Sequence, residues 1–421
     1  MTHPSPGTSA PVGGCPAVPL SGERFLTDPL GLYRDMRRDQ GPVVRVELPG
    51  AIPAWLVIGY RELHQVASDG ELYPRDVSLW NQWENIPADW PLLPMVGRPA
   101  PSIYFTAGAE HRRHAAMVGP ALEEVDPFEL RRHSEELADR LIDAFCDRGT
   151  ADLVAEFAML LPVLVLARLV GFPDKDGARI AKVINELADG GAGAQQAQVD
   201  FAGHMFRLVA ARRAQPADDV TSRMLADPAP FTDEEYALDL MAITAAGHLP
   251  TADWIGNSIR LMLTDDRFAT ALSGGRHSVA EAMNEALWED APTQILAGRW
   301  AARDTSLAGQ VIRAGDMLLL GLAAANADPL IRQDILPTGA GQGGNSAHLS
   351  FGHGEYRCPF PAQEIAEILA RTGIEVLLDR LPDIDLTVPT ESLVRRPSSF
   401  LRGMTSLPVG FTPVRTTGGH L

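Results

Sequence analysis

One cysteine, Cys358, stands where a glycine-punctuated loop meets a long segment of helical periodicity, within residues 348–379. Gly352 and Gly354 permit a tight backbone path through this loop, because glycine adopts positive φ angles without steric cost. Apolar residues recur at helical spacing from residue 365 onward, which places the sulfur just ahead of a predicted helix N-terminus. The partial positive charge of that terminus favours thiolate over thiol, and the thiolate is the form that ligates metals.

Two other interpretations of this cysteine start from the same residues. The first is a buried and inert side chain, since free cysteines are often buried. The second is a zinc site formed by Cys358 with His348 and His353. The stretch lacks a second cysteine and the paired ligand spacing of zinc sites, so the pattern disfavours zinc.

The composition limits what the rest of the chain does. The 421 residues are 45% apolar and 21% charged, which is typical of a globular protein with a sizeable core. No apolar run reaches the ~18 residues that span a bilayer, and no signal pattern opens the chain, which predicts a cytoplasmic protein without a membrane span. Three distant cysteines argue against disulfides, and a net charge of −18 argues against nucleic acid as a partner.

The elements around the cysteine are predicted to be mainly α-helical, with a small β-rich region. Residues 1–20, which include Cys15, are rich in Pro, Gly and Ser and predict a mobile tail or an extended covering strand. Periodicity then predicts helices over 30–39, 60–69, most of 128–223 and 234–266, hairpins over 43–59 and 306–322, and flexible surface over 338–345.

Phe351, Gly354 and Cys358 fill, in register, the heme-binding pattern of the cytochromes P450, which is Phe, two residues, Gly, three residues and Cys. From about residue 20 to 415 the chain resembles the soluble actinobacterial members of that family. The resemblance implies the cytochrome P450 fold in a single domain over 21–421. It also implies heme b (iron protoporphyrin IX) as cofactor, with Cys358 as the metal ligand and Phe351 anchoring the loop. A thiolate ligand favours cleavage of an O–O bond at the iron.

The resemblance also indicates side chains for the heme carboxylates. His111, in the segment AEHRRHAAMVGPAL, occupies the position of a family histidine that binds a propionate. The arginine usual four residues later is Ala115 here, which leaves Arg112, Arg113 and His114 as substitutes. Imidazolium and guanidinium groups suit this role because they form charge-assisted hydrogen bonds with carboxylates.

Two further cofactor-binding positions follow from the resemblance. Arg299 matches a propionate-binding arginine, and the usual His or Arg two residues before the cysteine is Tyr356, with Arg357 beside it. Pro359 and Pro361 have no N–H group to donate to the sulfur. Fewer hydrogen bonds leave more charge on sulfur, so we expect a lower iron reduction potential than in typical relatives.

The helix over 234–266 resembles the family helix that crosses the distal face of the heme. The dipeptide 246–247 matches its Ala-Gly, but Leu249 stands at the usual acid position and Pro250 at the usual alcohol position. Pro250 also removes a backbone donor, which predicts a kink. The remaining candidates for the catalytic role at this helix are Gly247, His248 and Thr251.

The family motif Glu-x-x-Arg is Glu285 to Trp288 here, so a tryptophan replaces the arginine that normally braces the heme core. An indole donates one hydrogen bond but cannot neutralise a carboxylate. We expect Glu285 either to pair with another cation, such as an arginine between 395 and 402, or to be held by hydrogen bonds.

Three functions remain open from the sequence. The first is a monooxygenase that oxidises a small hydrophobic molecule near Trp83, Gly247 and Thr251, with electrons from a ferredoxin-type partner. The second is a heme-bearing binding or sensing protein, and the third is peroxide-driven oxidation, which needs less proton delivery. Trp80, Trp83 and Trp90 either line the substrate pocket or pack on the core. A basic patch of Arg112, Arg113 and Arg357 is the predicted docking surface for an acidic ferredoxin.

Overall fold

A computed structural model describes residues 16–97, 99–189, 194–269, 276–331 and 346–418. Its helices are α1 Glu23–Thr27, α2 Pro29–Gln40, α3 Tyr60–Ser68, α4 Leu93–Val96, α5 Gly108–Glu123, α6 Pro127–Asp143, α7 Leu161–Val170, α8 Asp174–Asp189, α9 Ala194–Ala214, α10 Val220–Ala226, α11 Asp233–Thr264, α12 Asp266–Ala269, α13 Arg276–Glu289, α14 Leu322–Asn326 and α15 Phe360–Arg380. Its strands are β1 Val18–Pro19, β2 Val43–Leu48, β3 Ile52–Val57, β4 Thr150–Asp152, β5 Leu296–Trp300, β6 Thr305–Leu307, β7 Gln310–Ile312, β8 Met317–Leu320, β9 Asp385–Leu386 and β10 Pro408–Gly410.

The longest helix, α11, runs for 32 residues and packs against α7, α9, α13 and α15. Thr232 caps its start: its hydroxyl accepts from the Glu235 N–H, while the Glu235 carboxylate accepts from the Thr232 N–H. Acidic residues in the first turn suit the positive end of the helix dipole. The helix continues through Pro250 and so carries the whole predicted distal segment on one element.

The β-rich part is a five-stranded sheet in the order β1-β2-β3-β8-β5. The strands β2 and β3 pair antiparallel as the predicted hairpin, and β8 adds parallel to β3. The strand β5 pairs antiparallel with β8, which places Arg299 opposite Leu318 in the interior. The sheet therefore carries the predicted propionate arginine into the core, where it is 3% exposed.

The predicted fold class is confirmed: the structure is mainly helical with small sheets. The predicted hairpins correspond to β2–β3 and β6–β7, and the predicted helices over 30–39 and 60–69 to α2 and α3. Within the segment predicted as a tail, Val18–Pro19 already pairs with β2, so strand structure begins before residue 21. Residues 1–15, with Cys15, and the stretch 338–345 lie outside the described residues. None of the helices in the described ranges is both long enough and apolar enough to cross a membrane.

Two of the three tryptophans predicted near the pocket belong to the core beneath the sheet. Trp80 and Trp90 are 3% and 4% exposed and share an apolar cluster with Trp300. The ring of Trp80 lies 6.2 Å from that of Trp300. Trp83 is 37% exposed. For Trp80 and Trp90 the packing therefore supports the core interpretation rather than the pocket interpretation.

Candidate functional site

The cysteine loop is fixed by backbone hydrogen bonds and by a close contact with α3. Gly352 and Gly354 have φ angles of 74° and 75°, in the left-handed region that favours glycine. A Cβ on Gly354 would lie 2.0 Å from the carbonyl oxygen of Ala67, so a larger residue would displace the loop. The Cys358 N–H donates to the Phe351 carbonyl at 2.9 Å, and α15 begins two residues after the cysteine. The sulfur thus lies just ahead of a helix, as the sequence predicted.

The charge state of Cys358 differs from the sequence expectation. Burial raises the pKa of its thiol to about 12, and the neighbouring Arg357 guanidinium offsets only part of this rise. Desolvation therefore outweighs the attraction of the guanidinium, and the sulfur keeps its proton near pH 7 in the chain alone. Coordination to a metal deprotonates a thiol outright, so this site suits a thiolate that forms on metal binding.

Aromatic rings link the cysteine loop to α11 and α13. Phe351 lies 5.8 Å from Trp254 of α11, edge to face, and 5.9 Å from His348. Trp288 of α13 is 6% exposed and packs edge to face on His348 at 5.8 Å. Burial lowers the pKa of His348 to about 4, so this ring packs in its neutral form. Trp288 thus contributes packing where the family has an arginine.

Glu285 has a cationic partner, but a different one from the residues the sequence favoured. Its carboxylate lies 3.8 Å from the Arg267 guanidinium of α12. Two arginines of the 395–402 segment bind Asp290, and Arg396 binds Asp253 at 2.7 Å. Glu285 therefore lies near a cation, as expected, but this cation is not one of the arginines between 395 and 402.

His111 and Tyr356 meet beside the cysteine loop. His111 is 6% exposed, and its ring nitrogens face two backbone carbonyls, Ile103 O at 3.0 Å and Glu355 O at 3.4 Å. Burial lowers the pKa of His111, so the ring is neutral near pH 7. Its centroid lies 4.6 Å from that of Tyr356, whose hydroxyl accepts from the Gly108 N–H at 3.4 Å.

Arg299 reaches the same corner from β5. Its Cζ lies 4.2 Å from the centroid of the Tyr356 ring. The side chain is buried, yet its Nε and Nη1 atoms have no hydrogen-bond partner among the described residues. Burial and the nearby Arg75 guanidinium lower the pKa of Arg299 to about 9. A buried guanidinium without hydrogen-bond partners costs free energy, and a bound anion would offset this cost.

Arg75 is a site residue that no pattern in the sequence indicates. It is 8% exposed, its Cζ stacks 3.8 Å from the centroid of Tyr104, and its Nη2 has no hydrogen-bond partner among the described residues. The backbone N–H of Trp300 donates to the Pro74 carbonyl at 3.1 Å. This bond holds the segment before Arg75 against the strand that carries Arg299. An isolated arginine in an irregular segment has neither periodicity nor motif spacing, so only the fold reveals its neighbour.

The face of α11 left accessible by the rest of the described chain is apolar. Ala245 and Ala246 are exposed, although the helix packs against several others. At about 100° per residue, Leu249 and Asp253 continue the stripe that starts at Ala246. Leu249 is half-buried, and Asp253 is closed off by its ion pair with Arg396. The accessible part of this face therefore carries small and apolar side chains.

The three predicted catalytic residues of α11 share the opposite, buried side. The Nε2 atom of His248 lies 2.9 Å from the Met159 carbonyl, and burial lowers the pKa of this histidine to about 4. A Cβ on Gly247 would meet the Leu166 side chain of α7 at 3.0 Å. Thr251 is 4% exposed and lies one turn on from both. His248 therefore lies away from the accessible face that carries Ala246, because a helix presents residues 246 and 248 about 200° apart.

The predicted basic patch is smaller than the sequence indicated. Arg113 pairs with Glu110 at 3.0 Å and with Glu235, so its charge is neutralised inside the fold. Arg112 is exposed and pairs with Glu355 at 3.1 Å. Arg357 is exposed beside the cysteine. The positive charge near the loop that faces solvent therefore comes from Arg112 and Arg357.

These groups fit an iron porphyrin with two carboxylates. A bound metal would deprotonate the buried thiol of Cys358, and Arg75 and Arg299 offer buried guanidinium nitrogens without partners among the described residues. Ala245 and Ala246 leave room beside the central helix. In the described ranges no three His, Cys, Asp or Glu side chains are grouped to hold a metal ion.

Comparison with known proteins finds relatives along almost the full chain, although no family model matches. The cytochrome P450 monooxygenase PikC of Streptomyces venezuelae is 30% identical over 410 residues, 94% of this chain and 94% of that protein. The vitamin D(3) 25-hydroxylase of Pseudonocardia autotrophica is 28% identical over 397 residues, 92% and 95% of the two chains. The solved structure of CYP154C4 from Streptomyces sp. ATCC 11861 is 27% identical, with a TM-score of 0.83 over 95% of this chain and 99% of that chain.

Proposed function

We propose that this chain, which belongs to the cytochrome P450 family of heme b monooxygenases, inserts one oxygen atom into a small hydrophobic molecule with electrons from a ferredoxin-type protein. The observation that carries the substrate class is the accessible face of α11, where Ala245, Ala246 and Leu249 present apolar side chains. An apolar molecule loses little by leaving water for such a face, whereas a charged one would lack partners. The relative named a vitamin D(3) 25-hydroxylase supports the same substrate class.

Each site residue has one task in this proposal. Cys358 ligates the iron as a thiolate, and Phe351 holds the loop in place through its packing on Trp254. Arg299 binds a heme carboxylate from the sheet side, while His111 and Tyr356 close the corner. The bound heme supplies the activation of O2, which a thiolate ligand favours.

Proton supply is the step for which this chain departs from its family. Leu249 and Pro250 carry no titratable group, and the neighbouring His248 donates a hydrogen bond to the Met159 carbonyl on the buried side. We therefore assign the protons to water or to the substrate itself. Placing an acid and an alcohol on the helix by the double substitution Leu249→Glu and Pro250→Thr should increase the rate of product formation by roughly a hundredfold, the low end of one general-acid contribution.

The same lack of proton donors favours a second candidate, peroxide-driven oxidation, because peroxide brings its own protons to the site. Turnover with hydrogen peroxide in the absence of any reductase, at a rate above that with a ferredoxin and its reductase, would select this candidate. A third role, binding or sensing, predicts ligand-induced shifts of the heme spectrum without product under either condition.

The electron donor is proposed to dock near Arg112 and Arg357, the exposed cations beside the cysteine loop. Attraction between exposed charges is screened within about 10 Å at 0.1 M salt, so reduction by an acidic ferredoxin should slow as salt rises. The substitution Arg357→Gln should reduce both the rate and its salt dependence, whereas Arg61→Gln on α3, an equal change of charge at an exposed site, should leave them unchanged.

The decisive experiment is a carbon monoxide difference spectrum of the reduced protein, followed by single turnover with a library of apolar compounds. A band near the position typical of thiolate-ligated heme, lost in Cys358→His, supports the proposed ligand. A substrate that shifts the heme spectrum and is hydroxylated with a ferredoxin supports the proposed reaction. Preferential binding of polar, charged compounds would contradict the substrate class.

A further inference from the structure

We infer that Arg75, together with Arg299, forms a two-guanidinium clamp for the paired carboxylates of the heme. The clamp replaces two cations that the resemblance leads us to expect, since Ala115 and Tyr356 stand at positions that are usually basic. The inference rests on the proposed function, because it names further residues of the same site.

The two arginines are adjacent in the fold. Trp300, the neighbour of Arg299, donates its N–H to the carbonyl of Pro74, the neighbour of Arg75. A second bond of the same kind, from Ala302 N–H to the Leu72 carbonyl at 2.9 Å, continues the pairing. Burial is the main reason that the pKa values of Arg299 and His111 are lowered, and the Arg75 guanidinium lowers both further, which is the effect of a nearby like charge.

The described residues supply no anion to this pair of arginines. Neither arginine forms an ion pair with an Asp or Glu of the described residues, and three of their nitrogens are buried without a hydrogen-bond partner. Glu355, the acid that acts on Arg299, is engaged by Arg112 at 3.1 Å. Two buried like charges without compensation are costly, so their joint presence points to a ligand that carries two negative charges.

The nitrogens of Arg75 and Arg299 that lack a partner among the described residues remain available for a ligand. Arg75 lies over Tyr104 and Arg299 over Tyr356, so each ring covers one face of a guanidinium and leaves its edge for hydrogen bonds. A guanidinium edge binds a carboxylate with two parallel hydrogen bonds. The two arginines together match two carboxylates held side by side. Carboxylates of this kind come either from the heme or from an acidic substrate, and the test below separates the two.

The test measures retention of the cofactor and needs no turnover. Apoprotein is loaded with heme b or with its dimethyl ester, in which both carboxylates are blocked, and the rate of transfer to excess apomyoglobin is recorded for each. For Arg75→Gln we expect heme b to be lost roughly tenfold to a hundredfold faster than from the unsubstituted protein, the change that one charge-assisted hydrogen bond corresponds to. The dimethyl ester should be lost at the same rate from both proteins, and Arg75→Lys should recover part of the retention.

The controls keep the result interpretable. Arg61→Gln removes an exposed charge and should change neither rate. Faster loss of heme b and of the ester by the same factor would mean a loosened fold, and it would overturn the clamp, as would unchanged loss of heme b. Unchanged retention combined with weaker binding of carboxylate-bearing substrates would assign Arg75 to substrate instead. Failure of the unsubstituted protein to bind heme b at all would refute the proposed function itself. The comparison of heme b with its ester tests only the clamp, so the two failures can be told apart.

Discussion

The molecule buries two groups of arginines, and only one of them has its own carboxylate. Arg260, Arg395 and Arg402 surround Asp290, which is 3% exposed, with Arg402 at 2.6 Å and Arg260 at 3.1 Å. Arg75 and Arg299 are also buried, but they have no acidic partner among the described residues. The first group joins α11, α13 and the 395–402 segment, whereas the second faces the cysteine loop.

The difference separates a structural use of charge from a ligand-binding use. Burial by itself raises the pKa of Asp290, but the three guanidinium groups more than offset this, so the net shift is downward and the group is self-contained. Arg299 shows the opposite balance, because burial and a second cation both lower its pKa. A buried charge that the protein does not balance is a more specific sign of a ligand than burial or sequence motif alone.

The largest effect is expected from breaking the compensated group. Asp290→Asn leaves three cations around a neutral amide, which should lower the free energy of unfolding by about 3–5 kcal/mol, the cost of removing one partner from a buried pair. Urea denaturation followed by circular dichroism measures it. The control is Asp304→Asn, since Asp304 pairs with Arg313 at 2.7 Å in the open and should have no measurable effect. Equal losses for the two variants would contradict the comparison.

His248 is also buried but is neutral, so it needs no carboxylate partner. Its neutrality makes the stability of the fold depend on pH. The pKa of His248 falls from 6.5 to about 4 on folding, so the unfolded chain takes up a proton first as pH drops. Stability contributed by neutral His248 is complete above pH 6.5 and is lost as pH falls toward 4. Between pH 7 and pH 5 the loss should be about 2 kcal/mol.

The matched variant for this prediction is His248→Gln, whose amide donates to the Met159 carbonyl without titrating. Denaturation at the two pH values should show a smaller loss in the variant. His348, with a pKa also near 4, contributes equally to both proteins and cancels in the difference. The same pH dependence in both would show that His248 is protonated as readily in the folded chain.

A smaller change in the free energy of unfolding, of opposite sign, is expected when one arginine of the group without a carboxylate is removed. Arg299→Gln removes a buried cation without a partner, so the apoprotein should gain about 1 kcal/mol in free energy of unfolding. The heme-loaded protein should instead lose stability, because the anion then lacks its partner. Thermal denaturation of both forms gives the two signs, and destabilisation of the apoprotein would count against the unpaired cation.

How far the sequence predicted this molecule depended on whether a signal was local. The helix α2, the hairpin β2–β3 and the cysteine loop follow from periodicity and from glycines whose positions tolerate no Cβ, such as Gly354. The heme-binding pattern of Phe351 and Cys358 likewise lies within eight consecutive positions. Such features need no knowledge of what packs against them.

The remaining parts of the site depend on contacts between distant segments. The helical period puts His248 opposite Ala246, but only packing against Met159 and Leu166 decides which side is buried. Arg75 becomes a site residue because the strand carrying Arg299 pairs with the backbone next to it. The raised pKa of the Cys358 thiol has a similar origin, since it comes from burial by the whole fold and not from the residues beside the cysteine.

The sulfur itself offers the smallest test of the contrast between compensated and uncompensated charge. Pro359 and Pro361 cannot donate N–H groups to it, which should leave the thiolate ligand with more charge than in a chain that has donors there. Pro359→Ala restores one donor and should raise the iron reduction potential by an amount on the order of tens of mV, because one hydrogen bond to sulfur stabilises the more negative state. Spectroelectrochemical titration measures the shift, with Pro361→Ala as the matched substitution further along α15. A potential that stays constant in Pro359→Ala would show that the sulfur charge is set by burial and not by the absent donor.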